Sequence, residues 1–282
     1  MERRSLTDMH SGRYVWLDIL KGLGILFVVV GHFCSNTYVY NWIYSFHMPL
    51  FFFVSGYLYR EASILSSVKH KFMTLMIPYF LFGIISQSFF AINECMFSRT
   101  VRISELVWGL LYGTYSSIAY NRVLWFLPAL FCITNIYNFL NNVCGKKKEL
   151  LYIFVIVLTA LYVAGIVPAI CPWGIDNRVS NFMIYYMVGN IVAEKGWIES
   201  IRELPMKHSA ICAFLMVSIN FILSKYRLSG GGDFGIFAFI AWCYGVGLCI
   251  FIHNAIWKAL RPDRTSIFMY FMHSCSRRRS FD

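Results

Sequence analysis

VWLDILKGLGILFVVVGHFCS, residues 15–35, decides how the chain is read. An apolar helix needs about 20 residues to cross a hydrocarbon core of about 30 Å, and this stretch has that length. Only Asp18, Lys21 and His32 interrupt its apolar character. Similar runs recur near 42–59, 72–93, 123–140, 150–167, 179–193, 209–224 and 234–253. Each is apolar all round, so helical amphipathicity cannot place it; length and flanking charge must. The expected fold is all-α: a polytopic membrane helix bundle of about eight complete transmembrane helices plus an incomplete ninth. That ninth run opens at Ser266 and meets Arg277, Arg278 and Arg279. Nine helical residues rise about 14 Å, half of the core, where unpaired arginines are costly. The C-terminus therefore reads as truncated.

Composition agrees. Of 282 residues, 58% are hydrophobic and 14% charged, against roughly 25% charged in a soluble domain; the mean hydropathy is +0.58. An aromatic content of 18% excludes a disordered chain. The net charge of +11 would suggest nucleic acid in a soluble protein, but here it marks loops on the cytoplasmic side of the lipid bilayer. No nucleic-acid partner is expected. Cys34, Cys132, Cys212, Cys243 and Cys249 lie in apolar runs and read as small core residues.

Alternation of the spans sorts the basic residues. The side of the N-terminus collects Arg3, Arg4, Arg13, Arg60, Lys69, Lys71, the run 146–148, Lys195, Arg202, Lys207, Lys258, Arg261 and Arg264. Opposite stand Arg99, Arg102, Arg122, Arg178, Lys225 and Arg227. That excess places the N-terminus in the cytoplasm. The first span reads as a retained signal anchor, since no small-x-small cleavage site follows it. On the outer side, ISELVWGLLY (103–112) reads as a short helix flat on the membrane, and Ser229 to Asp233 as a turn.

Ionisable residues within spans mark function by default. Lys21 and His32 are eleven residues apart, which is three helical turns plus about 20°, so they share a face about 16–17 Å apart along the axis. Asp18 falls within about 40° of the same face, but about 21 Å of rise separates it from His32 and excludes a direct bond. One stripe thus runs from a charged rim to an imidazole, a group that exchanges protons near neutral pH. The plainer alternative makes Asp18 and Lys21 an interfacial pair with Lys21 snorkelling, and His32 a packing residue. In the second span, Pro49 follows His47 closely and is expected to kink the helix. Arg122 and Trp125, three residues apart, share a face. An outer-rim arginine beside an aromatic plane can hold a sugar or an anion; an interfacial aromatic anchor is the alternative.

These residues carry a resemblance. Leu17-Asp18-Ile19-Leu20-Lys21-Gly22 with Val30-Gly31-His32, then Phe46-His47-Met48-Pro49-Leu50-Phe51-Phe52 and Ser55-Gly56-Tyr57, resemble the integral-membrane acyltransferase 3 family, in particular its fucose 4-O-acetylase-like sugar O-acetylases. Lys21 and His32 match the family's basic-x10-His motif. Leu124 to Leu130 is similar to its fourth-helix signature, and Met76-Ile77-Pro78-Tyr79 is similar too. Lys71 and Thr74 stand where many members show a basic pair.

The resemblance implies one integral-membrane acyltransferase domain over 1–282, with the C-terminal part of the family domain missing, in the bacterial inner membrane. It implies transfer of an acyl group, usually acetyl, from cytoplasmic acyl-CoA to a hydroxyl of a carbohydrate or lipid-linked glycan of the cell envelope. Acetyl-CoA is then a co-substrate, with no tightly bound cofactor and no metal. Lys21 and Lys71 would bind CoA, with Asp18 supporting the rim. His32 would be the catalytic general base or a transient acyl carrier, and His47, Arg122 and Trp125 would meet the acceptor. A transporter or flippase of glycan intermediates and an inactive fragment are the competing readings.

Overall fold

A computed structural model describes residues 15–34, 36–113, 118, 121–145, 147–166, 172–175, 177–197, 211 and 218. All regular structure among them is helical. The helices are α1 (Val15–Phe33), α2 (Thr37–Tyr57), α3 (Ile64–Lys71), α4 (Ile77–Met96), α5 (Ile103–Tyr112), α6 (Phe126–Cys144), α7 (Lys148–Val163) and α8 (Asn177–Lys195). A π turn at Phe72–Met76 joins α3 to α4, and a 3-10 turn at Arg122–Trp125 leads into α6. Six of the eight expected spans coincide with helices. The segments 209–224, 234–253 and 266–272, and the turn at 229–233, lie outside the described residues. Two continuous helical stretches, 64–96 and 123–144, are long and apolar enough to cross a membrane by length and composition. The described residues are therefore all-helical in their regular structure and strongly apolar, with two candidate crossings.

The chain divides into two compact units, and the division falls within α2, between His47 and Met48. In the first, α1 and the start of α2 form an antiparallel hairpin. Phe27 meets Trp42 and Phe46 edge-on, with ring centroids 5.9 and 5.2 Å apart, and Leu17, Leu20, Ile43 and Phe46 are buried. Gly31 lets the helices approach: a Cβ there would lie 3.2 Å from both Ile43 and Tyr44. Asn36 opens α2, its Oδ1 accepting from the backbone N–H groups of Tyr38 and Val39, which satisfies two of the donors a helix start leaves unpaired.

In the second unit the ring contacts give the helix directions. Phe52 stacks on Phe182 at 4.7 Å, and seven residues on Tyr59 meets Tyr186. Phe52 likewise meets Phe126, and Tyr59 meets Tyr137. Residue numbers rise together, so the end of α2, α6 and α8 run parallel. Across α7 and α8 the order reverses: Thr159 bonds the Ser180 carbonyl, while Lys148 pairs with Glu194. The contacts from α3 and its π turn to α6 reverse too, Ser67 to Asn135 and Phe72 to Phe131. Thus α4, α6, α7 and α8 alternate in direction. Arg60, Lys147, Lys148 and Lys195 stand toward one end of the unit, and Arg99, Arg102 and Arg178 toward the other, while Lys69 and Lys71 lie beside the middle of α6.

Close backbone approach holds α2 to α8. A Cβ on Gly56 would sit 1.9 Å from the Tyr186 carbonyl oxygen, and one on Gly189 would sit 2.1 Å from that of Phe53. Only glycine fits at such crossings, the small-residue packing usual between apolar helices. The π turn follows from Pro78. Proline has no N–H for the carbonyl four residues back, and the Ile77 N–H reaches Phe72 O, five residues back, instead. α2 passes through Pro49 as one continuous helix.

Candidate functional site

α1 is unbroken from Val15 to Phe33, so the stripe stands: Lys21 and His32 share a face about 16–17 Å apart. Asp18 and Lys21 are half-buried and His32 is exposed. The Tyr44 hydroxyl lies 3.5 Å from His32 Nε2, and the two rings meet edge-on at 6.1 Å. Tyr44 itself stacks on Tyr40 at 4.0 Å and meets the His47 ring edge-on at 4.6 Å.

His47 is 2% exposed. Its Nδ1 lies 2.8 Å from the Ile43 carbonyl. A carbonyl only accepts, so Nδ1 carries the proton and donates. The sequence placed His47 near the outer side to meet an acceptor; here it is packed inside the first unit as a pinned ring beside Tyr44.

Lys71 ends α3 half-buried at the start of the π turn, a distortion of the helix ladder found often at functional sites. Thr74, inside that turn, bonds back to the His70 carbonyl at 2.9 Å. Lys71 and Trp125 belong to the second unit, whereas Asp18, Lys21, His32 and His47 belong to the first.

Trp125 does have a cation on its ring, but it is Arg178 from the start of α8, its guanidinium carbon 4.4 Å from the ring centroid. Arg122 opens the 3-10 turn, and its side chain lies outside the described residues. Phe182 flanks Trp125 at 5.8 Å. A half-buried cation–π pair of this kind contributes about 1 kcal/mol. Arg178 was visible in the sequence only as one more outer-side charge, because the pairing spans more than fifty residues.

A second polar set was missed altogether. Asn138 pairs its amide with the peptide groups of Ala62: Oδ1 accepts from the backbone N–H at 3.3 Å and Nδ2 donates to the carbonyl at 2.9 Å. Oδ1 also accepts from Tyr59 at 3.0 Å, and Asn142 donates to the same Ala62 carbonyl. With Ser67 on Asn135, α6 clamps the segment that leads from α2 to Lys71. Its sequence signal was available: asparagines at 135, 138 and 142 share a face of an otherwise apolar run. Gln87 differs. It is 5% exposed on α4, and its amide has no hydrogen-bond partner among the described residues.

Known proteins bear on this arrangement. Helices this apolar, two of them long enough to cross a bilayer, fit a multi-helix membrane protein. Residues 14–275 match the family described as the acyltransferase domain, acyltransferase 3; the chain belongs to that family of membrane acyltransferases. It is also similar to a nodulation protein, NolL, of Sinorhizobium fredii, at 27% identity over 156 residues. That match takes in 50% of this chain and 41% of the relative's length. No solved structure matches.

Proposed function

We propose that this chain is an O-acyltransferase that moves an acyl group, acetyl in the first instance, from acyl-CoA at the cytoplasmic side to a hydroxyl of a cell-envelope carbohydrate. Family membership supports acyl transfer to an acceptor of this class. The observation that carries the rest is the unbroken α1, with Lys21 and His32 on one face at a separation comparable to the pantetheine arm of CoA. Lys21 takes the phosphate-rich head. Lys71, half-buried at the start of the π turn, is assigned to the same ligand, and Asp18 supports the rim.

His32 takes the acceptor's hydroxyl proton as the oxygen attacks the thioester carbonyl. The C–O bond forms, the C–S bond breaks, and the imidazolium returns the proton to the CoA thiolate. A two-step route, in which the imidazole first accepts the acyl group and then passes it to the hydroxyl, asks the same of His32. Trp125 with Arg178, together with Arg122 and His47, is assigned to the carbohydrate. The bacterial inner membrane, with the N-terminus cytoplasmic, is the compartment this reading requires.

The test is labelled acetyl-CoA added to membranes that carry the chain, with label followed into saccharide. Incorporation supports the reading. Movement of lipid-linked glycan without acyl-CoA consumption would replace it with a transporter.

A further inference from the structure

Resting on the reading above, we propose that Tyr44 is the positioning residue of His32: it engages Nε2 and leaves Nδ1 as the nitrogen that takes the acceptor's proton. Neutral imidazole offers one donor and one acceptor nitrogen, and the partner of one nitrogen decides the state of the other. At His32 the partner is the Tyr44 hydroxyl, 3.5 Å from Nε2. Such contacts are commonly long before substrate binds and tighten during reaction.

The hydroxyl is set there by packing. The Tyr44 ring lies on Tyr40 at 4.0 Å with 26° between planes. Its other neighbour, His47, is itself pinned to the Ile43 carbonyl. Gly31, next to His32, removes the side chain that would push the ring away; a Cβ there would lie 3.2 Å from Tyr44 Cε2. Gly31 and Tyr44 thus serve one arrangement from two helices. With Nε2–H donating to the Tyr44 oxygen, Nδ1 holds a lone pair. When His32 gains the hydroxyl proton on Nδ1, the Nε2–H bond remains and stabilises the imidazolium.

Two measurements on membranes with the full chain test this. Ring nitrogens of 15N-labelled histidine are observed by solid-state NMR, His32 being identified by difference from His32→Ala. The Nε2–H tautomer is expected in the wild type and a mixture of both in Tyr44→Phe, which keeps the ring and removes only the hydroxyl. Transfer from labelled acetyl-CoA is measured alongside. Loss of one neutral hydrogen bond predicts a kcat fall of roughly 3- to 10-fold with KM for acetyl-CoA unchanged. Gly31→Ala, which displaces the ring but keeps the hydroxyl, gives a smaller fall in the same direction. Wild-type kcat in Tyr44→Phe, or an Nδ1–H tautomer at His32 that the variant leaves alone, overturns the proposal. Full activity in His32→Ala overturns instead the role of His32 itself, and Tyr44's part with it.

Discussion

Two helices carry polar groups through apolar surroundings, and they treat them differently. On α6, Asn138 uses both ends of its amide on the Ala62 peptide and accepts from Tyr59 as well. On α1, His32 is exposed and its Nε2 meets one hydroxyl at long range; among the described residues Nδ1 has no hydrogen-bond partner. A polar group saturated by its own chain holds structure, because removing it strands its partners. One left partly open is available to a substrate. Asparagines and a histidine, equally unwelcome in lipid, are told apart by this count and not by residue type.

The largest effect that separates the two helices is on activity alone. His32→Ala is expected to lower transfer about 10²- to 10⁴-fold, the usual contribution of a positioned general base, while thermal unfolding in detergent stays at the wild-type temperature. Asn138→Leu should do the reverse. It takes the acceptor from the Ala62 N–H and one of two partners from the Tyr59 hydroxyl, so unfolding stability should drop by roughly 1–3 kcal/mol. An Asn138→Leu protein as stable as the wild type would break the comparison.

Gln87 sharpens it from the other direction. A buried amide without partners carries an unrecovered desolvation penalty, and methionine nearly conserves its shape. Gln87→Met should therefore raise stability by about 1 kcal/mol; a loss of that size would mean the amide is satisfied in the membrane.

The smallest effect belongs to Lys148 and Glu194. Their hydrogen bond raises the Lys148 pKa above its ordinary 10.5. A raised lysine contributes stability that is fully present below the unfolded value and is lost as pH climbs through the folded one. Both side chains are more than a third exposed, so the contribution is below about 0.5 kcal/mol. The stability difference between wild type and Lys148→Met should stay flat from pH 7 to 9 and begin to fall only as pH passes 10.5. A difference that changes between pH 7 and 9 would point to another group.

Much of this was legible because membrane helices advertise themselves. Length and apolarity placed α1, α2, α4, α6, α7 and α8, and the short helix at 103–112 appears where ISELVWGLLY predicted it. Lys21 and His32 were readable because their relation lies within one helix, where spacing alone fixes geometry. What was illegible depends on contacts between helices. Spacing pointed to Arg122 beside Trp125, and gave no sign that Arg178 from another helix lies over that ring. Nothing in the sequence singled out Tyr44. Fixed helical spacing says nothing about which distant residue arrives opposite, and the polar groups of a bundle are decided there.

The central claim is that α1 carries the chemistry through His32. The direct test compares membranes holding the wild-type chain and His32→Ala at equal amounts of inserted protein, with radiolabelled acetyl-CoA as donor and label counted in saccharide. The account predicts incorporation by the wild type and background counts from the variant. Equal incorporation by both would contradict it.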